Sequence, residues 1–469
     1  MNLHVVETVD EAKRLLEINK KNWLVAVPVF VDERAHPAVN PLSVLFLTTP
    51  FEIFVFGFDH NETPKLPYSL LTDIDKSLEL LNAPFEYNAD GAYTSEALYS
   101  LMVPNKKEWM YIFSSYKGVV DSQIIEFYKT GSATGQRMLY PRVMGDMAGM
   151  YRQLRNIYKS VPLMTLVEYV ERFIKHAEDL YKNVNFNMLW YKYIMIPTFQ
   201  QIEKNGLRVN PEKFKEWFGE KASKNIINGY VYTQYNPFNI TGRPSNSFGG
   251  VNYAALPKDG SREAFISRFE NGSLIEADFE SFHLRLIADI IKYPQPEEPF
   301  HEYLGKLYSG VAHLTQEQYE EGKRTTFAYL YGERRPVSPI DFFEKVYNWV
   351  DNFWQDAQFE GYFVTPLANR KIYIDWIEKP TQQKVFSYLV QAWESEVAVA
   401  AIKNLMKLFR RYDMKSRIVL YTYDSVLIDY TPEDDKQKVI DCIKRSLGRR
   451  YPIRLKEGTD YKNMNIIGD

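Results

Sequence analysis

The sequence is poor in residues that build covalent or metal cross-links. One cysteine, Cys442, stands among 469 residues. That excludes an internal disulfide and leaves no Cys-based zinc site. A lone cysteine of this kind is expected to be a small buried residue. No apolar run reaches the 18 or so residues that a membrane-spanning helix needs. The opening MNLHVVETVDEAKRLL lacks the basic-then-apolar order of a signal peptide and reads as a short strand followed by a helix. Repeats and low-complexity tracts are missing as well. These absences point to a reducing, cytoplasmic setting and to no membrane partner. A basic surplus is also lacking: 57 Lys and Arg stand against 60 Asp and Glu, a net charge of -3. Nucleic-acid binding usually leaves a basic footprint, so the sum argues against it. The distribution argues the other way. Basic residues gather late, at Lys323, Arg324, Arg334 and Arg335, at Arg370 and Lys371, between Lys403 and Arg417, and between Lys444 and Lys456. Any one cluster is explained by a solvated surface, but the clusters recur beside the motifs described below.

What is present is an ordinary globular composition, 45% hydrophobic and 25% charged, with 34 Tyr and 29 Phe. The length allows roughly two to four domains. Residues 1–190 read as alternating α/β, with β-rich apolar runs at 22–31, 43–49 and 53–58 and helical spacing in DIDKSLELLN and TLVEYVERFIKHAEDLYKNV. A helix at 188–205 ends before Asn205-Gly206. The Asn-, Pro-, Gly- and Ser-rich stretch 235–262 reads as a loop and a domain boundary. SLIEADFE then reads as a strand entering a helix. Helices are expected at 311–333, 340–358 and 380–410, two strands with a tight turn at Tyr423-Asp424-Ser425 in 417–431, and a last helix with Thr431 as its N-cap.

Three features carry chemistry. Asp278 ends the apolar strand LIEAD, where an acid alone is as well explained as an N-cap or a surface group. Asp424 sits between two apolar strands in VLYTYDSVLIDY, where an Asp can serve the turn itself. As a pair they would offer hard oxygen ligands at strand ends, as Mg²⁺ requires. The third is GKRTTFAYLYGERR. On a helix Lys323, Phe327 and Tyr331 lie four apart and share a face. One cation and two rings suit a triphosphate and a base; they also suit an amphipathic helix with two core aromatics.

In combination these motifs resemble the family A DNA polymerases, the bacterial polymerase I type. Lys-x3-Phe-x3-Tyr-Gly is similar to that family's fingers-helix motif, ADFESFHLRLIA to its first palm motif, and VLYTYDSVLIDY to its last. ITGRPSNSFGGVNYAALP, EGYFVTPLANRKIYI, LVQAWESEVAVAAI and IPTFQQIEKNGLRVNPEKF resemble four further family segments, in family order, across roughly 195–469. The resemblance implies an α/β and α+β multidomain chain. An RNase H-like, exonuclease-type domain (1–190) would precede a reduced thumb or connector (191–235) and a right-hand palm and fingers domain (236–469, fingers about 295–360). It implies a template-directed, DNA-dependent DNA polymerase acting on primer-template DNA and dNTPs. Two Mg²⁺ ions, with Mn²⁺ able to substitute, would be held by Asp278, Asp424 and the Phe279 carbonyl. Lys323 would contact the triphosphate. Phe327, Tyr331, His283 and Arg324 would complete the nucleotide site. Arg243, Gln391, Arg370 and Tyr423 would meet the primer-template.

The departures from the family are informative. His283 stands where the family has its sugar-gate Glu. Tyr319 stands where it has an Arg one turn before the fingers Lys, with Arg324 as the candidate replacement. Ser425 replaces the second acid of the last motif, and Gln383 and Ser387 replace an Arg and an Asn. Only 36 residues, Leu207–Gly242, fill the span of the family's long thumb. A truncated thumb and a processivity or clamp partner are therefore expected, a compact form pointing to a phage or other mobile element. The 3′–5′ exonuclease acids fall on Pro28, Phe30, Asn88–Ala92 and Tyr181–Asn185, so proofreading is expected to be absent, with Asp32, Glu33 and Asp121 as candidate displaced ligands. Two alternatives stay open: a single-subunit RNA polymerase, whose last motif is closer to Tyr-Asp-Ser, and a catalytically silent nucleic-acid-binding replication factor.

Overall fold

The structure, a computed structural model, describes residues 1–467 except 33, 83–100, 133–157, 182–188 and 333–339. The chain forms two compact units, Met1–Lys204 and Asn205–Asp469.

The first unit is built on a six-stranded sheet of β1 (Asn2–Val5), β2 (Val25–Phe30), β3 (Leu42–Thr48), β4 (Glu52–Gly57), β5 (Leu101–Val103) and β6 (Val119–Asp121), in the order β1-β4-β3-β2-β5-β6. β2, β3 and β4 are an antiparallel meander; β5 and β6 run parallel to β2, and β1 runs parallel to β4. The three apolar runs lack the alternation of a half-buried sheet because both faces are covered. One face sets Val25, Val27, Val29, Val44, Phe46 and Val55 against Leu166, Val170 and Phe173. The other sets Ala26, Leu45, Leu47, Phe54 and Phe56 against Ala12, Leu16, Leu70 and Ile74. The helices are α1 (Val9–Ile18), α2 (Leu70–Ser77), α3 (Lys106–Ile112), α4 (Ser122–Thr130) and α5 (Leu163–Tyr181). A π-helical turn, Trp190–Met195, leads into α6 (Ile196–Asn205).

In the second unit, β7 (Leu207–Arg208) pairs with β8 (Tyr230–Val231), and α7 (Pro211–Ser223) lies between them, kinked at Gly219. The stretch read as a domain boundary lies inside this unit. It forms β9 (Tyr235–Asn236), β10 (Ser245–Phe248) and β11 (Val251–Asn252). Buried aromatics hold it there. The Tyr235 hydroxyl donates to the Tyr421 carbonyl at 3.0 Å and accepts from the Tyr421 amide at 2.8 Å. Next come β12 (Ser273–Phe279), α8 (Phe282–Ile290), α9 (Phe300–Ser309), α10 (Gln316–Tyr331), α11 (Asp341–Glu360), the hairpin β13 (Tyr362–Val364) and β14 (Lys371–Tyr373), and the 30-residue α12 (Gln382–Arg411). β15 (Arg417–Thr422), β16 (Ser425–Tyr430), α13 (Lys436–Ser446), β17 (Ile453–Gly458) and β18 (Met464–Ile466) complete the unit. Its main sheet is antiparallel, in the order β15-β16-β12-β17-β18. β17 and β18 were not read from the sequence. Thr431 is not the N-cap of α13: its hydroxyl accepts from the Glu433 amide in the preceding turn, and Asp435 caps the helix through the Lys438 amide. Cys442 is buried, as expected. No described helix is long and apolar enough to cross a membrane.

Candidate active site

β12 is the middle strand of the main sheet, and its register sets Asp278 opposite Ser425 of β16 and Arg454 of β17. Asp424 lies in the turn that joins β15 to β16. Its amide donates to the Thr422 carbonyl at 2.7 Å, which closes a three-residue turn around Tyr423. Tyr423 has φ 60°, a region that bulky L-residues avoid. The Phe279 amide donates to the Asp424 carbonyl at 2.8 Å, so the two acids stand at adjoining strand ends. Ser281, at the start of α8, also has positive φ, at 50°. Strained residues thus follow one acid and precede the other, a pattern found at working sites.

The electrostatics match that placement. Burial pushes the Asp278 carboxyl up to about 6; Asp424 and Glu276 add to the effect, and Lys456 and Lys258 oppose it. Burial, then Glu394, raises Asp424, and Lys258 and Arg243 hold it back. Among the described residues neither carboxylate takes part in an ion pair. A divalent cation would supply the missing charge. Among the described residues no group of three or more His, Cys, Asp or Glu could hold a metal. Two carboxylates are a donor set that suits Mg²⁺, an ion that keeps waters and takes one or two carboxylates plus substrate phosphates.

Beside the acids lies a hydrogen-bonded cluster. Arg243 Nε donates to Glu394 Oε2 at 2.5 Å. His283 Nε2 lies 3.0 Å from Glu394 Oε1 and 2.8 Å from Arg243 Nη2. The Tyr331 hydroxyl is 3.4 Å from His283 Nδ1, and the Arg243 guanidinium covers the Tyr423 ring at 4.8 Å. Burial alone would raise the Glu394 carboxyl, but His283 and Arg243 outweigh it and hold the acid below its ordinary value. Burial raises the Tyr331 phenol. Gly242 turns the chain into Arg243 with φ 71°, and a Cβ there would stand 2.5 Å from the Arg370 guanidinium.

α10 begins with a capping box at Thr315 and Gln318. It carries Lys323, Phe327 and Tyr331 down one side, with the Phe327 and Tyr331 rings stacked at 6.4 Å. α9 packs closely against it, since a Cβ on Gly322 would sit 3.0 Å from the Gly305 Cα. That approach brings the His301 ring to 5.6 Å from Phe327. His301 is buried, its Nδ1 has no hydrogen-bond partner among the described residues, and its pKa is lowered to about 4 by burial, then by Lys323 and His283.

Other anticipated residues have partners within the chain. Arg324 faces outward and pairs with Glu321 at 2.7 Å. Arg370 is buried, with Nε donating to Glu396 at 3.0 Å. The Gln391 amide donates to Ser387 Oγ at 2.8 Å. Glu394, Glu396 and His301 were missed in the sequence. For the two acids a signal was available: carboxylates inside the apolar helical run LVQAWESEVAVAAI must find partners once buried.

In the first unit, Pro28 and Phe30 lie in β2. Asp121 caps α4, accepting from the Lys106 and Gln123 amides at 2.9 and 2.8 Å. Asp32 accepts from Arg34. Glu33, Asn88–Ala92, 182–185, Arg334 and Arg335 lie outside the described residues.

No protein-family model matches the sequence, and no curated protein matches it. The fold does have solved counterparts. The chain is similar to the POL domain of Pol1 from M. smegmatis, solved in complex with DNA primer-template and dNTP, with TM-score 0.72. The match covers 98% of this chain and 99% of that one, at 13% identity. The chain therefore has the fold of a DNA polymerase domain over nearly its whole length.

Proposed function

We propose that the protein is a template-directed DNA polymerase that extends a primer 3′ end with dNTPs. The observation that carries this reading is the pair Asp278 and Asp424, one half-buried and one exposed carboxylate without ion-pair partners among the described residues, held side by side where β12 ends and β15 turns into β16. Asp278, Asp424 and the Phe279 carbonyl would hold two Mg²⁺ ions, with Mn²⁺ able to substitute, and the bound ions would activate the 3′-hydroxyl and neutralise the leaving pyrophosphate. Lys323 would bind the triphosphate, with His301, a neutral donor, next to it. Phe327 and Tyr331 would flank the nascent pair. His283, fixed by Glu394, Arg243 and Tyr331, would stand against the sugar. Arg243, Tyr423 and Gln391 would follow the primer-template. Placement and charge stabilisation are the protein's part of the catalysis.

The sheet order of the first unit supports the RNase H-like reading of that part. Pro28 and Phe30 in β2, and the use of Asp121 as a helix cap, support an exonuclease-type domain without proofreading. A reduced thumb is supported by the single helix α7 between Asn205 and Arg243.

The test is primer extension with Mg²⁺ on matched and mismatched 3′ ends, using dNTPs or rNTPs. Extension with dNTPs that Asp424→Ala abolishes, with DNA binding retained, is expected. Preference for rNTPs would replace this reading with an RNA polymerase. Shortening of the mismatched end would refute the absence of proofreading.

A further inference from the structure

Arg454 of β17 lies directly across from Asp278 in the sheet register, so both side chains leave the same face. Its guanidinium forms no ion pair with that acid among the described residues. It stands 3.9 Å from Glu280 and close enough to Tyr319 of α10 to act on that phenol's charge. Tyr319, Lys323, Phe327 and Tyr331 are four apart on one helix, so Arg454 extends from the strand end beside Asp278 toward the N-terminal half of α10, which carries Lys323. Three of the nearby cations are committed elsewhere. Lys456 pairs with Glu276 at 3.1 Å, Arg450 with Asp289 at 2.8 Å, and Arg285 with Glu280 at 3.0 Å. Glu280 is thus already balanced by Arg285, and the long contact to Arg454 adds little. The Arg454 side chain remains 46% exposed. A planar fork of donors at such a place suits phosphate oxygens, which it can take two at a time.

We propose that Arg454 is the second cation that holds the β- and γ-phosphates of the incoming nucleotide, working from the palm sheet opposite Lys323. The proposal rests on the polymerase reading and assigns to β17 a role that the sequence assigned to Arg324. Arg324 is turned to Glu321 on the outer side of α10. Because the same two phosphates leave as pyrophosphate, Arg454 also binds that product.

The experiment compares Arg454→Ala, Arg454→Lys and Arg324→Ala in the full chain. A fluorescent mant-dATP is titrated onto enzyme bound to a dideoxy-terminated primer-template with Mg²⁺, and steady-state extension and pyrophosphorolysis are run beside it. Arg454→Ala should weaken nucleotide binding about tenfold, the size of one lost charge-assisted contact. The KM for dNTP and for pyrophosphate should rise together, with the primer-template Kd unchanged. Arg454→Lys should recover part of the loss, which separates phosphate binding from a folding defect. Unchanged mant-dATP binding in Arg454→Ala, or an equal loss of DNA binding, would overturn the proposal, as would a KM rise seen with Arg324→Ala alone. If the native chain binds mant-dATP and extends nothing, the polymerase reading fails while the role of Arg454 is still decided. If it binds no nucleotide, both fail.

Discussion

At the scale of single residues, the site depends on one buried acid. Glu394 accepts from Arg243 and holds His283 against Tyr331. Removing it leaves a guanidinium and an imidazole, both half-buried, facing each other. Glu394→Ala should destabilise the fold by about 3 kcal/mol, the range for a buried pair that loses one partner, read by urea denaturation. His283→Ala should keep the fold and raise the ratio of rNTP to dNTP incorporation, measured by competition on one template. His301 gives a pH prediction. Its folded pKa, about 4, lies below the ordinary 6.5. Between those values the unfolded chain binds a proton that the folded chain refuses. Stability from this group is therefore full above pH 6.5 and falls as pH drops toward 4, by roughly 2 kcal/mol between pH 8 and 5. His301→Gln should flatten that part of the melting-temperature profile; equal slopes would contradict it.

At the scale of elements, the turn at Tyr423 is under backbone strain. A glycine would take φ 60° without the Cβ penalty, about 1 kcal/mol. Tyr423→Gly should therefore leave melting temperature level or higher. It should still slow extension, because Arg243 loses the ring it covers. A lower melting temperature would show that the Tyr423 ring contributes more to stability than the strain removes. The α9–α10 contact is as specific. Gly322→Val would drive a branched side chain into Gly305. It should shift α10, with Lys323 and Phe327, and raise the KM for dNTP by more than it lowers stability.

At the scale of the molecule, only α7 and short strands lie between Asn205 and Arg243, so the proposed polymerase would have little there with which to grip a duplex. Few nucleotides should be added per binding event when a heparin trap is present, and product length should shrink steeply with salt. Long products under a trap would contradict the reduced thumb. Much of this architecture was legible in the sequence, for identifiable reasons. β2 to β4 are apolar throughout because two helical layers cover them, and the strands around Asp278 and Asp424 are likewise mainly apolar runs of strand length. β17 was not legible because Arg454, Lys456 and Glu457 make it read as surface, although it pairs along one side of β12. Nor could the sequence place residues 235–262. Their composition is that of a loop, and it takes the hydrogen bonds from Tyr235 to Tyr421, the Arg243–Glu394 pair and the packing of Val251 and Tyr253 to show that they belong to the second unit.

The central position of β12 has a consequence for synthesis. Its neighbours β16 and β17 lie far downstream, and α8 to α12 come between. At ribosomal rates, β12 waits on the order of tens of seconds for its second partner. It is an apolar strand with two open edges until β16 emerges and with one until β17 does, the form most prone to pair with another chain. Lowered temperature or slower induction should therefore raise the soluble yield of this protein more than any substitution near Asp278.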